Sequence, residues 1–515
     1  MSTRPDSTAL FRTELLAYPF PWSFREGRTG IILIGDSQLE TLAAEPDRDI
    51  DLSLRGTPRM QSLRGICRQA REHGHRTLCV AFDYFWAQYR REFAGKPRTL
   101  WPDTPRYIER IATVAAVAGE YGLGMELSVL SPLEIGHGYA EETGECGHWM
   151  HYREGVRDPD DGAYSVQLWR QLAWTNNKGT VALKNGGVRV FAFREHSVPN
   201  SPYAAVDPAD IVEITDTARV EILDGLRTGA RGTPGNTTDP AALPGYGAVR
   251  IRIHGRGHTD IGPLDRILAV QIYETPEMDY FSDTAEPYLK RLVDRYTDAG
   301  IRFNSLYADE MHIQGDWGYA THHDEGEFCL RYVSPGFEKR FAKTYGQQYA
   351  DFAPWLVYFC RGQHGFQNTV TAKEDGMHVT GASPRAIAET ALLRARYFKQ
   401  LNDGVVELFA GAKSYLEEKM GHPVTSKAHA TWAESPTIDH VKPTEGGPWP
   451  WKYDYTPRFL ASNTVHQAAT ACHDYFKWCD FLHGTGNDTA ECGWLDRNYW
   501  GFSLASSLAV VNRVR

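Results

Sequence analysis

Two adjacent carboxylates, Asp309 and Glu310, end an apolar stretch that begins at Ile301. The stretch is rich in strand-forming residues and follows an amphipathic segment closed by Gly300, a residue typical of helix C termini. In α/β proteins the loops beyond the carboxyl ends of parallel strands carry the active site. We therefore predict that this acidic pair takes part in catalysis. The alternative is that Asp309 caps the next element and that Glu310 is a solvated loop residue.

Other apolar runs end in the same way, in a carboxylate, an imidazole or an indole. These strand-end residues are Asp36, Asp83, Trp86, His429, Trp432 and Glu434, and His312 follows the acidic pair. Side chains of these types donate and accept hydrogen bonds or offer flat apolar faces. They are therefore candidates for contacts with a polar, ring-shaped substrate.

The elements that would position these side chains alternate between strands and helices. We predict strands at residues 29–36, 77–86, 124–132, 301–310, 423–436 and 475–482, and helices at 58–73, 102–121, 284–299, 326–349, 384–420 and 503–511. Alternation of this kind implies βαβ units around a parallel sheet, and hence an α/β fold.

Residues 162–280 have a different pattern, with little helical periodicity. Short runs of strand formers recur there, separated by turn-rich pieces such as Asn185-Gly-Gly and residues 225–243. We predict an antiparallel β-sandwich inserted into the α/β part. The chain would then divide into residues 1–161, the insert 162–280, and residues 281–515.

The composition of the 515-residue chain excludes some classes of partner. A net charge of -10 without a cluster of Lys or Arg argues against nucleic acid and against an anionic membrane surface. The first residues lack a signal-peptide core, and the most apolar later window, 111–130, is interrupted by Glu120 and Glu126. Eight cysteines without a Cys-X-X-Cys pair suggest free thiols in a reducing compartment. We expect a cytoplasmic protein with a neutral or polar small substrate.

These residues and motifs resemble those of the TIM-barrel glycoside hydrolases, in the large retaining clan that includes β-galactosidases and cellulases. The resemblance rests on Asp83, on Asp309-Glu310, on His429-X-X-Trp432-X-Glu434, and on the segment Thr489-Ala-Glu491-Cys-Gly-Trp494. It implies a (β/α)8-type TIM barrel with the inserted sandwich. Because the predicted strands are fewer than eight, either two strands lie in irregular segments or the barrel is incomplete and the polypeptide continues beyond Arg515.

The resemblance also assigns roles to residues. The clan uses a Glu after the fourth strand as acid/base and a Glu late in the barrel as nucleophile, which implies Glu310 for the first role and either Glu434 or Glu491 for the second. The clan usually has Asn before the acid/base, where this chain has Asp309. A like charge beside Glu310 favours its protonated form, which a general acid requires.

The predicted substrate is an oligosaccharide or another glycoside. One carboxylic acid would protonate the leaving oxygen, and one carboxylate would attack the sugar or activate water. The predicted substrate contacts are Asp36, Asp83, Trp86, Asp309, His312, His429, Trp432, Trp449 and Trp451. For the tryptophans, packing in a barrel rim is an equal alternative. No cofactor is implied, and a homo-oligomer is left open.

The sequence leaves two other functions open. A metal-dependent isomerase, aldolase or hydrolase would use the donors His312, Asp316, His322, His323 and Asp324, or the motif Cys146-X-His148-X-X-His151, although neither spacing matches a closed zinc site. A non-catalytic carbohydrate-binding protein would leave several carboxylates at strand ends without use, which argues against it because buried acids cost stability.

Overall fold

The computed structural model describes residues 31–52, 60–72, 74–81, 99–130, 135, 137–171, 173–176, 179–201, 203–223, 248–275, 277–310, 329–359 and 378–429. The helices are α1 (Asp36–Ala44), α2 (Leu63–Glu72), α3 (Pro105–Glu120), α4 (His137–Thr143), α5 (Ala285–Asp298), α6 (Pro335–Tyr345) and α7 (Pro384–Met420). Short 3-10 turns lie between them, the longest at Ala353–Phe359.

The strands of the described residues run from β1 to β20. They are β1 (Ile31–Leu33), β2 (Ile50–Asp51), β3 (Met60–Gln61), β4 (Thr77–Ala81), β5 (Gly124–Leu127), β6 (Gly147–Val156), β7 (Tyr164–Gln171), β8 (Ala173–Asn176), β9 (Gly179–Ala182), β10 (Lys184–Phe193), β11 (His196–Ser197), β12 (Ala204–Ala205), β13 (Val212–Glu213), β14 (Arg219–Ile222), β15 (Ala248–Gly255), β16 (Arg266–Thr275), β17 (Phe303–Glu310), β18 (Cys329–Tyr332), β19 (His378–Val379) and β20 (Thr425–His429).

Three helices begin at a Ser or Thr that is followed by proline. The hydroxyls of Thr104, Ser334 and Ser383 each accept a hydrogen bond from a backbone N–H of the first turn. Such a cap satisfies an N–H that has no partner within the helix, and proline fits the next position because its missing N–H is not needed there. These local signals explain why α3 and α7 begin within about one turn of the predicted starts.

A five-stranded parallel sheet carries the strands of the predicted α/β part. Its order is β1-β4-β5-β17-β20, so each strand lies beside the next parallel strand along the chain, and all five carboxyl ends meet at one edge. Leu78, Met125 and Leu127 on one face are buried in the main hydrophobic core with residues of the surrounding helices. This consecutive parallel order is what a (β/α) barrel requires, and the closed barrel itself stays a prediction.

Antiparallel strands form two further sheets, of order β13-β10-β16-β6-β18 and β14-β15-β7. A separate apolar core joins the two sheets and includes Val166, Val190, Ile251 and Ile267. The larger sheet also takes in β6 and β18, which lie before and after residues 162–280. The division into residues 1–161, 162–280 and 281–515 stays a prediction.

One region differs from the helix that we expected at residues 326–349. The described part of it begins with β18, which pairs with β6 through partners such as Tyr332 and Trp149, and α6 starts only at Pro335. Pairing with a distant strand decides the conformation here, because strand preference depends on the neighbours that a sheet offers. In the described part of the chain, no helix is long and apolar enough to cross a membrane.

Candidate functional site

The carboxyl edge of the parallel sheet brings two of the predicted site residues together. Strand β17 ends at Glu310 and strand β20 ends at His429, and these two residues are register partners on neighbouring strands. The backbones of two residues that are 119 positions apart in sequence are thus neighbours at the edge where α/β enzymes carry out chemistry.

The backbone at Asp309 departs from a regular strand. Ala308 pairs with Ala428 and Glu310 pairs with His429, so Asp309 is the extra residue of a β-bulge. A bulge interrupts the alternation of side chains between the two faces and is common beside active sites.

Asp36 follows β1 at the same edge and is the first residue of α1. Its Oδ2 accepts hydrogen bonds from Thr99 N (2.6 Å), Thr99 Oγ1 (2.5 Å) and Leu100 N (3.3 Å). One oxygen thus fixes the segment that leads into α3. The other, Oδ1, is buried and has no hydrogen-bond partner in the described part of the chain, so it is the oxygen that a ligand could use.

A row of buried polar residues crosses the face of the parallel sheet opposite to the Leu78, Met125 and Leu127 face. Cys79, Glu126 and Ser305 are register partners on β4, β5 and β17, and each is at most 6% exposed. The Cys79 thiol donates to Glu126 Oε1 at 3.5 Å. Because alternate residues of a strand share a face, Ser128 just beyond β5 continues this face towards the carboxyl edge.

Two hydroxyls of this polar face lack partners. Ser128 Oγ and Ser305 Oγ are buried without a hydrogen bond in the described part of the chain. A buried hydroxyl without a partner costs about 1–3 kcal/mol, so such groups are common where a ligand or water binds. The sequence-based prediction missed Glu126, Ser128 and Ser305. A carboxylate inside an apolar strand was the signal that could have identified Glu126.

The other predicted site residues cannot be placed at this edge. Asp83, Trp86, His312, Trp432, Glu434, Trp449, Trp451 and Glu491 lie outside the described residues, as do His322 and His323. For Asp309, Glu310 and His429 the structure gives the course of the backbone. The assignment of Glu434 or Glu491 as nucleophile therefore stays a prediction.

The motif Cys146-X-His148-X-X-His151 does not form a metal site. His148 and His151 are three residues apart on β6, and an odd spacing turns side chains to opposite faces of a strand. His151 is 1% exposed and stacks on Tyr273, with ring centroids 6.5 Å apart. Burial, aided by the charge of Arg153, lowers the pKa of His151 to about 3, which describes a neutral core histidine.

A different group of donors lies close together, and the sequence-based prediction missed it. Within the described part of the chain, Glu154, Glu195 and His378 are the three residues of metal-ligand type whose donor atoms gather within 4.8 Å of one another. They come from β6, from the segment after β10, and from β19. More than 180 residues separate Glu195 from His378, so the sequence contains no motif that indicates this group.

Comparisons with known proteins add little to this geometry. No family model matches the chain, and no curated protein matches it. Among solved structures, a rhamnosidase from Novosphingobium sp. PP1Y is similar with a TM-score of 0.28 and 9% sequence identity, over 77% of this chain and 47% of that one. The chain thus spans about half the length of that rhamnosidase, a glycoside hydrolase, and a TM-score this low supports no argument about fold or activity.

Proposed function

We propose that this chain is a glycoside hydrolase whose site lies at the carboxyl edge of the parallel sheet. The observation that carries the proposal is the register of Glu310 with His429 at the ends of two neighbouring parallel strands. A carboxyl group and an imidazole at such an edge suit proton transfer and the binding of hydroxyl groups. Asp36 Oδ1 and Ser128 Oγ, both buried without partners in the described residues, support a ligand rich in hydroxyls.

The proposed reaction uses two carboxyl groups. Glu310 would donate a proton to the leaving oxygen as the bond to the anomeric carbon breaks, and a second carboxylate would attack that carbon and form a glycosyl-enzyme. Glu310, now ionised, would then take a proton from water as the water displaces the enzyme carboxylate. Glu434 is the first candidate for the nucleophile and Glu491 is the second.

His429 would orient the sugar or Glu310 by a hydrogen bond, since it lies beside Glu310 at the end of β20. Trp432, Trp449 and Trp451 would stack on sugar rings, as aromatic faces do on apolar sugar faces. The proposed substrate class is a glycoside. A screen of glycosides would identify the sugar.

The proposal is tested with aryl glycosides of several sugars that differ in the acidity of the leaving phenol. We expect the wild-type chain to hydrolyse at least one of them. Glu310→Ala should lower kcat/KM by about 10²–10⁴-fold for poor leaving groups, because these need general acid help. The same variant should keep most of its kcat/KM for dinitrophenyl glycosides. Added azide should restore its turnover by forming a glycosyl azide.

Glu407→Gln serves as the matched control. Glu407 is an exposed residue of α7 that accepts a hydrogen bond from Arg340 on the surface, so its loss should leave kcat/KM unchanged. Inactivity of the wild-type chain on the whole panel, or full activity of Glu310→Ala on poor leaving groups, would contradict the proposal. Loss of activity after dialysis against a chelator would favour the metal-dependent alternative instead.

A further inference from the structure

His378 lies fully buried between three parts of the antiparallel region. Its Nδ1 is 2.9 Å from the carbonyl oxygen of Val357 and 3.2 Å from Oε1 of Glu154, and its Nε2 is 2.6 Å from Oε1 of Glu195. Its side chain is 0% exposed, and that of Glu154 is 4% exposed. The imidazole thus bridges groups that are far apart in sequence.

The hydrogen bonds of the ring determine its protonation. Carbonyl and carboxylate oxygens only accept hydrogen bonds, and a neutral imidazole has only one N–H to donate. Since both ring nitrogens of His378 face such oxygens, both must carry a proton. We propose that His378 is a buried imidazolium and acts as a pH-sensitive clamp that fastens β19 and the segment Ala353–Phe359 to the five-stranded antiparallel sheet.

The clamp joins separate elements. Glu154 lies on β6 and Glu195 follows β10, the two strands that flank β16 in the larger sheet. His378 lies on β19, which pairs with β12, and Val357 lies in the segment that precedes it. Loss of the imidazolium therefore removes contacts between the sheet and two peripheral segments together.

Several charged groups surround His378. Arg266 on β16 donates from Nη2 to Oε2 of Glu195 at 2.8 Å, so Glu195 pairs with both the guanidinium and the imidazole. The charges of Glu195, Glu154 and Asp265 all raise the pKa of Arg266. Two more arginines lie beside the segment Ala353–Phe359: Arg394 donates from Nη1 to the carbonyl oxygen of Tyr358 at 3.0 Å, and the Arg331 guanidinium lies 5.6 Å from the ring of Phe359. The ring of Phe193 packs against the imidazole at 5.4 Å.

This arrangement is unlike a metal site, although its donor types would suit one. The two carboxylates approach different nitrogens of the ring, whereas a metal needs its ligands to converge on one position. The distance of 2.6 Å between Nε2 and Glu195 is that of a charge-assisted hydrogen bond.

The pKa shifts give the direction of the pH response. Burial lowers the pKa of His378, but the charge of Glu154 and the hydrogen bonds to Glu195 and Val357 outweigh burial and raise the pKa above its ordinary value of 6.5. The hydrogen bond from His378 is the main cause that lowers the pKa of Glu195 to about 2. A raised histidine pKa contributes stability that is complete below about pH 6.5 and is lost as the pH rises through the folded-state value. A lowered glutamate pKa contributes stability that is lost as the pH falls from about 4.5 to 2.

The test is amide hydrogen exchange of the whole chain, read by mass spectrometry at pH 6 and pH 9 and corrected for the intrinsic exchange rate. We expect peptides that cover 353–359 and 378–379 to lose protection at pH 9. Once the pH exceeds the folded-state pKa of His378, the loss should be about tenfold for each unit by which folding raises that pKa. His378→Gln should show equal protection of these peptides at both pH values. His258→Gln is the matched control, because it removes a histidine that pairs with Asp216 of the 3-10 turn Thr215–Thr217 and should keep the wild-type response.

Glu195→Gln provides a second test that does not depend on the folding of His378→Gln. It keeps the shape of the side chain but removes its charge, so the loss of protection should begin at a lower pH than in the wild type. Equal protection of the wild-type peptides at pH 6 and pH 9 would overturn the proposal. Protection that rises on addition of Zn²⁺ in the wild type but not in Glu195→Gln would overturn it in favour of a metal site.

Discussion

At the scale of single residues, Glu338 is a partly buried acid whose protonation should control stability near neutral pH. Burial is the largest cause that raises its pKa to about 7, and Asp351 adds to the rise. Its Oε1 accepts a hydrogen bond from Phe352 N at 2.9 Å. Because the folded-state pKa lies above the unfolded value of 4.5, ionisation of Glu338 costs stability as the pH rises from about 4.5 through 7.

Glu338→Gln should therefore stabilise the protein at high pH only. Glutamine still accepts the bond from Phe352 N and buries no charge, so we expect a gain of about 1–2 kcal/mol in the free energy of unfolding at pH 8.5. At pH 4 the gain should nearly vanish, since the wild-type acid is then largely protonated in both the folded and the unfolded state. Guanidinium unfolding at both pH values measures the difference. Glu407→Gln is the control, and an equal gain for both variants would refute the role of burial.

The residues that sequence reasoning could place relative to one another were those that end predicted strands. Glu310 and His429 could be expected at one edge, because the parallel order of strands brings carboxyl ends together. His378, Glu154 and Glu195 could not be expected as a group, because three pairings between distant segments create the cluster. Chemistry that depends on strand ends is visible in a sequence, and chemistry that depends on tertiary contacts is not.

At the scale of elements, helix α7 contains two glycines with opposite expected effects. An added Cβ at Gly404 would lie 2.3 Å from Cε1 of Phe281, a buried ring that packs edge-on against Phe337 at 5.4 Å. At Gly411 the nearest atom is Glu286 Oε1 at 3.9 Å, which leaves room for a methyl group. Packing therefore requires glycine at the first position and not at the second.

Gly404→Ala should destabilise the protein by about 1–3 kcal/mol, since overpacking a rigid core outweighs the better helix propensity of alanine. Gly411→Ala should stabilise it by about 0.5–1 kcal/mol, because alanine lowers the entropy cost of helix formation. Thermal unfolding of both variants beside the wild type shows whether each substitution raises or lowers the stability. A gain in stability for Gly404→Ala would show that Phe281 moves aside easily.

Most helix boundaries could be predicted from the sequence. Local groups decide them: Ser383 caps the start of α7, and Gly421 ends it with a positive φ of 68° that glycine adopts without strain. Strand β18 was missed because its conformation is fixed by β6, which lies about 180 residues earlier. Short strands carry too little periodicity to be separated from helices by pattern alone.

At the scale of the whole molecule, the parallel and antiparallel regions share one hydrophobic core. Leu289 and Phe303 of the parallel region lie in the same buried cluster as Trp149, Tyr273 and Tyr280. The cluster thus includes residues from both sides of the predicted boundaries of the insert. A shared core makes the two regions depend on each other for stability, because each buries apolar surface that the other would expose.

Removal of residues 162–280 and closure with a short Gly-Ser linker should therefore abolish folding of the remainder. Strand β6 would lose all ten partners on β16, and Trp149 would lose Glu277, which accepts its indole N–H at 3.0 Å. We expect loss of the near-UV circular dichroism and binding of a hydrophobic dye, as in states that lack fixed packing. Ile253→Ala, which opens the smaller core, is the control: it should cost about 2–4 kcal/mol but keep the near-UV signal. A deletion variant with a native-like signal and a sharp unfolding transition would contradict this prediction, because it would show that the remainder folds without the insert.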